Sequence, residues 1–579
     1  MQEIRKQLKN VIKDIYNLDT DPDITPSPDN IDADYSSNIA LKLAKDLHKS
    51  PMEIANEIIS SMSGAIFSAT PPGFINFTLP DEYYFKEITN LSHDFKKNIS
   101  SEKYSGQTIV CEFSDPNPFK VLHVGHLYTS IVGDSISRLF EYAGAKVIRA
   151  NFGGDVGLHV AKTMYILQEK PIEDLTIEDI AKCYVEGTAV YEDDEEAHTK
   201  ITELNKEIYK INQNDEHDSA LAKLYWKGRE LSYDYFKNFY AEIGVKFDKF
   251  YPESTVAELG LTKVKEELEK GVYEASDGAV IFNGEKYGLH TRVFINKEGV
   301  PTYETKDVGL IFTKWQDYHF NKSVVITGNE QLDYMKVVLK SVEQYAPELV
   351  EKTSHLTHGL VKLPGNVKMS SRKGNFLKAA DVLNMVKDEL QSAYNSSDEK
   401  VSLSAVKYAF LKYKMGGNII FDPKESVKMT GNSGPYLLYS AVRAKKILKK
   451  IDSTRVAHVT SEGAFRSAAA RELAPSAHGD GPDGRGPKMG TSDRTRVERN
   501  LSKKILEYKE ILEESVQEMA PHKVANYLYE LAQDFSRFYE NCPVSGSDRE
   551  EERTMLVKVY LDTMTHGLNI LGIEIPEEM

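Results

Sequence analysis

Cysteine is scarce in this 579-residue chain: only Cys111, Cys183 and Cys542, far apart and without a CxxC pair. Three such residues build neither a disulfide scaffold nor a four-cysteine zinc site, and they suit a reducing compartment. No protein metal site is expected. No apolar run approaches the roughly 20 residues that span a bilayer. The opening MQEIRKQLKNVIKD reads as an amphipathic helix rather than a signal peptide. A cytoplasmic protein with no membrane partner is therefore expected. Positive charge is not in excess either: 72 Lys+Arg stand against 88 Asp+Glu, for a net charge of −16. That balance does not mark a nucleic-acid binder, although a local basic face is compatible with one. What is plentiful is core material. Hydrophobic residues make up 41% and aromatics 10%, and at roughly 150 residues per domain the length suggests about three or four domains.

The texture changes along the chain. Residues 1–100 read as a small α+β unit: Ile39, Leu43 and Leu47 share one helical face, Ile54, Ile58 and Ile59 form a second stripe, and PPGFINFTL is a strand opened by a turn. From Gln107, the strand-like QTIVCEF, a helix carrying Tyr128, Val132, Ile136 and Leu139, and the strand-like KVIRANF imply a βαβ unit. The expected core is an α/β, Rossmann-like parallel sheet over 105–395, interrupted by a Lys/Glu-rich helical insertion at about 163–275. The acidic run Glu192–Glu196 within it is a solvated face. Residues 396–579 read as all-helical. One stretch breaks that pattern: 463–500 holds six arginines, one lysine and no isoleucine around GDGPDGRGP. It reads as a disordered linker, with a compositional break that a frameshift or foreign insert would also produce.

Two motifs carry chemistry. HVGH, His123 to His126, lies where the first strand hands over to a helix. Unpaired N–H groups and partial positive charge make a helix start a phosphate site, and two imidazoles add donors for charge developing at phosphorus. Gly125 allows a flat base to approach the backbone. Alone, the pair is more often two ordinary histidines at a cap, or a stray metal site. VKMSSRKGN places Lys368, Met369, Ser370, Arg372 and Lys373 beside Gly374, cations suited to gripping a triphosphate. Alone, it is a solvated basic loop. The two together, about 245 residues apart on an α/β chain, resemble the HIGH and KMSKS signatures of class I aminoacyl-tRNA synthetases.

The resemblance narrows further. CEFSDPNPFKVLHVGHL followed by GGDVG, then PTYETKD, GNEQ, NSGPYLLYSAVRA and the ending GLNILGIEIPEEM, are similar to the arginyl-tRNA synthetase family over most of the chain. The resemblance implies a tRNA-recognition domain at 1–100, a class I catalytic domain at 105–395 and an anticodon-binding domain at 396–579. It implies ATP with Mg²⁺, L-arginine and tRNA(Arg) as reactants and partners, and a monomer. Carried over residue by residue, arginine binding falls to Glu112, Asn117, His126, Tyr303, Asp307 and Gln331. Glu112, Tyr303 and Asp307 would face the guanidinium, which asks for carboxylates in fork geometry; Asn117 and Gln331 would meet the amino end. ATP binding falls to His123, Gly125, His126, Lys368, Met369 and Ser370, and catalysis to His123, His126, Lys120, Lys368 and Lys373. Ser371 stands where KMSKS has its second lysine, and Lys120 is at the position thought to compensate. Asp115 stands where the family more usually has serine. For tRNA, the basic run from Arg443 through Lys446 to Lys450 either tracks phosphates or is a solvated face. Tyr527 and Tyr539, off or at the edge of an apolar stripe, are candidates for base stacking.

Overall fold

Strand and helix alternate from Thr108 as the sequence texture predicts. The computed structural model describes residues 2–28, 31, 33–172, 174–365, 377–464 and 491–579. Strand β1 (Thr108–Glu112) leads through a loop into helix α1 (Val124–Tyr142) and strand β2 (Lys146–Gly153). Three further strands, β3 (Lys249–Pro252), β4 (Lys322–Gly328) and β5 (Thr353–His358), complete a sheet of order β5-β4-β1-β2-β3. Every neighbouring pair is parallel, with Val325 and Ala150 flanking Glu112 in register. Ile109, Val110 and Cys111 are fully buried, as expected where helices cover both faces of a parallel sheet. The chain leaves β1 toward β2 on one side and meets β4 on the other. In open α/β sheets, ligands lie outside the carboxyl ends of the strands at such a switch point.

The expected helical insertion ends earlier than residue 275. Helices Leu158–Leu167, Ile177–Asp193, Glu195–Gln213 and α2 (Ala220–Glu242) fill its first part, packed through Val160, Met164, Ile180, Ile201, Ile208 and Tyr225. Then KFYP returns to the sheet as edge strand β3, paired with β2, and helix α3 (Glu253–Glu269) follows directly. Four residues of strand carry too short a pattern to separate them from their helical flanks. A small antiparallel sheet (Glu274–Ser276, Ala279–Phe282, Arg292–Ile295) precedes helix α4 (Tyr303–Tyr318).

Packing divides the chain into two compact units; the first break, after Asn98, lies beside the expected 100, whereas none lies at 396. One comprises residues 1–98, 474–506 and 537–559; the other comprises 99–473, 507–536 and 560–579. In the first, an antiparallel sheet and helices Gln2–Tyr16, Ile39–Leu47 and Pro51–Ser60 bury Leu8, Ile12, Ile39, Leu43, Ile54 and Ile58. The same unit overturns part of the linker expectation. Of 463–500, residues 465–490 lie outside the described residues, but Gly463 and Ala464 end helix Gly434–Ala464 and residues 491–500 begin helix Thr491–Leu506. There Glu498 accepts from Arg553 Nε at 2.7 Å and Arg499 Nε donates to Asp81 at 2.9 Å. Arginine-rich composition reads as solvated chain; here Arg499 is tied to Asp81 and Asp34, and Glu498 to Arg553.

In the second unit the distal chain returns to the sheet domain. Ser135 and Arg138 of α1 donate to the Ile570 carbonyl (2.9 Å) and the Asn569 side chain (2.7 Å), and buried Lys407 donates to the Gly572 carbonyl (2.5 Å). Tyr527 is buried and stacked on Tyr508 at 5.3 Å, so it packs the helices and offers no face to a base. Its place at the edge of the apolar stripe, taken for exposure, is filled by a neighbouring helix.

Candidate active site

At the carboxyl ends of β1, β4 and β5 a cavity of about 1290 Å³ opens. One wall is the start of α1. His123 is its N-cap, and its Nδ1 accepts from the Gly125 N–H at 3.1 Å. His126 Nδ1 in turn accepts from the His123 N–H at 3.2 Å, and the rings stack at 3.7 Å. Both Nδ1 atoms act as acceptors, so each neutral ring carries its proton on Nε2. Burial, followed by the charge of Lys120, pushes His123 down to about 4; burial, followed by the neighbouring His123, holds His126 well below the ordinary imidazole range. The pair is therefore two uncharged N–H donors beside a helix N-terminus. Gly125 is required by this packing as well: a Cβ there would lie 2.8 Å from His123 Cε1.

Carboxylates form the other wall. Glu112, Asp115, Glu253, Glu304 and Asp307 all line the cavity. Three have resident cations. Lys314 reaches Glu112 at 2.5 Å, Lys306 reaches Glu253 at 2.6 Å, and Arg292 reaches Glu304 at 3.1 Å. Asp307 accepts from the Tyr334 hydroxyl and makes no ion pair with the described residues. Burial, reinforced by the charges of Glu112, Glu253 and Glu304, pushes its carboxyl up to about 8 against the Tyr334 bond. Asp115 is likewise raised, first by burial and then by Glu112. A hollow with surplus negative charge calls for a cation.

The loop between β1 and α1 supplies the remaining groups under strain. Ser114, Asp115 and Phe119 adopt left-handed φ of 75°, 49° and 64°, a conformation that costs a non-glycine residue roughly 1–2 kcal/mol. Bonds across to the end of β2 hold it. Asp115 accepts from the Phe152 N–H at 2.7 Å and Asn117 Oδ1 from the Gly154 N–H at 2.8 Å. Gly153 permits the close approach: a Cβ there would stand 2.4 Å from the Pro116 carbonyl.

The cavity brings together Glu112, Asn117, His123, Gly125, His126, Tyr303, Asp307 and Gln331. Glu112, expected as a free guanidinium partner, arrives already neutralised by Lys314. Lys120 is not on the cavity wall; its ammonium lies 4.5 Å over the Tyr184 ring. Lys368, Met369, Ser370 and Lys373 lie outside the described residues. Arg443 donates to the Tyr439 hydroxyl at 2.8 Å, while Lys446 and Tyr539 are exposed. Sequence reasoning missed Tyr334, Arg292, the two lysine–glutamate pairs and His358, whose Nε2 lies 2.6 Å from the Thr129 hydroxyl on α1. One signal was available: YETKDVGLIFTK places Glu304, Lys306, Asp307 and Lys314 in one helix, all buried. Charged residues are almost never fully buried unless paired.

Comparison with known proteins agrees with this architecture. A family model described as tRNA synthetases class I (R), catalytic domain, matches residues 87–422. The DALR anticodon binding domain model matches 437–579, and the arginyl tRNA synthetase N terminal domain model matches 2–79. A curated arginine–tRNA ligase of Fusobacterium nucleatum is 28% identical over 574 residues, covering 94% of this chain and 93% of its own. One from Treponema denticola is 28% identical over 623 residues, covering both chains in full. Among solved structures, the Thermus thermophilus arginyl-tRNA synthetase superposes with a TM-score of 0.74 at 22% identity over 100% of both chains. The Plasmodium falciparum arginyl-tRNA synthetase gives 0.74 at 20%, over 100% of this chain and 99% of its own. With its catalytic-domain model covering more than half the sequence and the site built on the same span, the chain belongs to the class I arginyl-tRNA synthetase family.

Proposed function

We propose that this cavity activates L-arginine with ATP and that the chain then charges tRNA(Arg), acting as an arginine–tRNA ligase. The observation that carries the reading is a carboxylate without a cation, Asp307, in the same hollow as two stacked neutral imidazoles. The guanidinium would enter between Asp307 and Tyr303, one turn apart on α4, with Glu112 and its lysine forming the floor. ATP would lie along the start of α1, its phosphates taking the Nε2–H donors of His123 and His126. A carboxylate oxygen of arginine attacks the α-phosphorus, the bond to the β-phosphate oxygen breaks, and diphosphate leaves. Neutral donors suit this step: they follow charge as it develops without fixing the substrate phosphates too tightly beforehand. No side chain forms a covalent intermediate. A ribose hydroxyl of the terminal adenosine of tRNA then attacks the arginyl carbonyl, the acyl–phosphate bond breaks, and AMP leaves with the hydroxyl proton lost to solvent.

Lys368 and Lys373 are assigned to charge neutralisation on the departing phosphates, with Met369 and Ser370 at the nucleotide. Lys120 would join them only by leaving the Tyr184 ring. Mg²⁺ enters this scheme on the phosphates of its substrate complex with ATP. Residues 1–100 are assigned to tRNA recognition and the helices beyond 396 to the anticodon, with Arg443, Lys446 and Tyr539 as contacts. A cytoplasmic monomer is part of the same reading; among the described residues no helix is long and apolar enough to cross a membrane. ATP–diphosphate exchange with each amino acid in turn, with and without total tRNA, tests it. Exchange that depends on arginine and rises with tRNA is expected, and exchange with another amino acid in its place overturns it.

A further inference from the structure

A second cavity, of about 960 Å³, opens between α2 and the edge strand β3 and shares no lining residue with the first. That volume is in the range of small-molecule sites. Flat rings and cations share its wall. Trp226 and Tyr233 stand two turns apart on α2, and Phe250 meets Tyr233 edge-on from β3 with ring centres 5.9 Å apart. Trp226 is held in place: its Nε1 donates to the Glu216 carbonyl at 2.7 Å, and the His217 ring stacks on it at 4.8 Å. His217 is in turn oriented by Asp215, 3.0 Å from its Nε2. Its side chain is 57% exposed, so a further planar ring can extend the stack.

We infer that this cavity binds a free nucleoside phosphate, its base continuing the His217–Trp226 stack and its phosphate seated on the Arg229 guanidinium. That guanidinium lies 5.4 Å from the centre of the Trp226 ring and 5.0 Å from that of Tyr233. Its Nε donates to Asp155 at 2.9 Å. Asp155 is fully buried and also accepts from the Ser254 N–H at 3.0 Å and hydroxyl at 2.7 Å, so a fixed carboxylate braces the arginine. Its two Nη groups make no hydrogen bond among the described residues, which leaves open the fork that grips a phosphate bidentately. The remaining charges point the same way. Glu230 and Asp234 pair with Lys227 at 3.1 Å and Lys237 at 3.6 Å, whereas Lys223 makes no ion pair among the described residues. One open fork and one open ammonium suit a single phosphate group rather than the run of phosphates of an RNA strand. Stacking accepts any base, so little base selectivity is expected.

The chain has two tryptophans, Trp226 and Trp315, so in the full-length protein Trp315→Phe leaves Trp226 as the sole indole reporter. GMP, which takes no part in the proposed adenylation, is titrated into it. Saturable quenching below about 1 mM is expected, with ribose 5-phosphate, which has the phosphate and no base, bound about tenfold more weakly. Arg229→Lys keeps the charge and loses the fork; it should raise the Kd for GMP by about tenfold or more. Lys223→Gln, on an exposed side chain, should raise it about two- to fivefold. Absence of saturable quenching overturns the proposal. Quenching that both substitutions leave unaltered also overturns it, because GMP then binds elsewhere. Equal binding of ribose 5-phosphate removes the stack, and quenching by total tRNA without any by GMP assigns the cavity to RNA instead; either result overturns the inference. If Trp315→Phe does not fold, GMP and ribose 5-phosphate are titrated calorimetrically into wild type, Arg229→Lys and Lys223→Gln, and the same outcomes decide.

Discussion

The two ends of the cavity are built on opposite principles. At the proposed nucleotide end, His123 and His126 satisfy one another and the helix start through bonds spanning two and three residues, and both rings are uncharged. At the proposed amino-acid end, charges meet across the chain: Lys314 with Glu112 over 202 residues and Lys306 with Glu253 over 53. There Asp115, Asp307 and Glu330 line the cavity without an ion pair to the described residues. The first arrangement is complete without its ligand and serves as a rigid donor rail. The second is electrostatically unfinished, and an isolated buried carboxylate neutralises itself by binding a proton until a cation arrives. In the proposed reading, ATP meets a self-contained element, while arginine meets a surplus of negative charge that a cation would balance.

That contrast can be broken most directly at the nucleotide end. His126→Ala, or His123→Ala, should slow adenylate formation by about 2–4 kcal/mol of barrier, the scale of a lost oxyanion donor. ATP–diphosphate exchange at saturating arginine reads it, and unchanged turnover would refute the donor-rail role. Next, Asp307→Asn should weaken arginine by about 1.5–3 kcal/mol while the KM for ATP stays constant. Equal effects on both substrates would erase the division of labour.

Proton linkage sharpens the comparison further. In the empty site Asp307 titrates near pH 8, so at neutral pH it is mostly protonated, and arginine binding must expel that proton. Affinity for arginine should therefore rise with pH by up to about tenfold per unit below 8 and level off above it. His123, neutral down to about pH 4, should add no such slope for ATP over the same range. Calorimetry in buffers of different ionisation enthalpy measures the released proton. The smallest effect lies outside the cavity: Ser135→Ala should cost about 1 kcal/mol of stability with kcat preserved, seen in urea unfolding followed alongside activity.

How much was legible follows the same divide. HVGH, the β1–α1–β2 unit and the parallel sheet are recorded in contiguous residues, because strand period, helix period and capping act over a few positions. Asp307 and Tyr303 were named only through the resemblance of PTYETKD to the family, and their spacing of four residues then fits one helical face. Lys314, Lys306 and Tyr334 were not, since partners 27 to 202 residues away leave no local pattern. Residues 491–500 were misread for the reverse reason. Their composition is that of solvated chain, and only Asp81 and Arg553, distant in sequence, show why a helix forms there. Tyr527 failed likewise, since its covering Tyr508 lies on another helix.

The bonds from α1 to Asn569 and Ile570 span 431 and 435 residues. Closing a loop of that length is entropically slow and comes late in folding. The helix that begins with HVGH thus receives these anchors only once residues 569 and 570 have been synthesised, and a product cut short before them lacks both bonds.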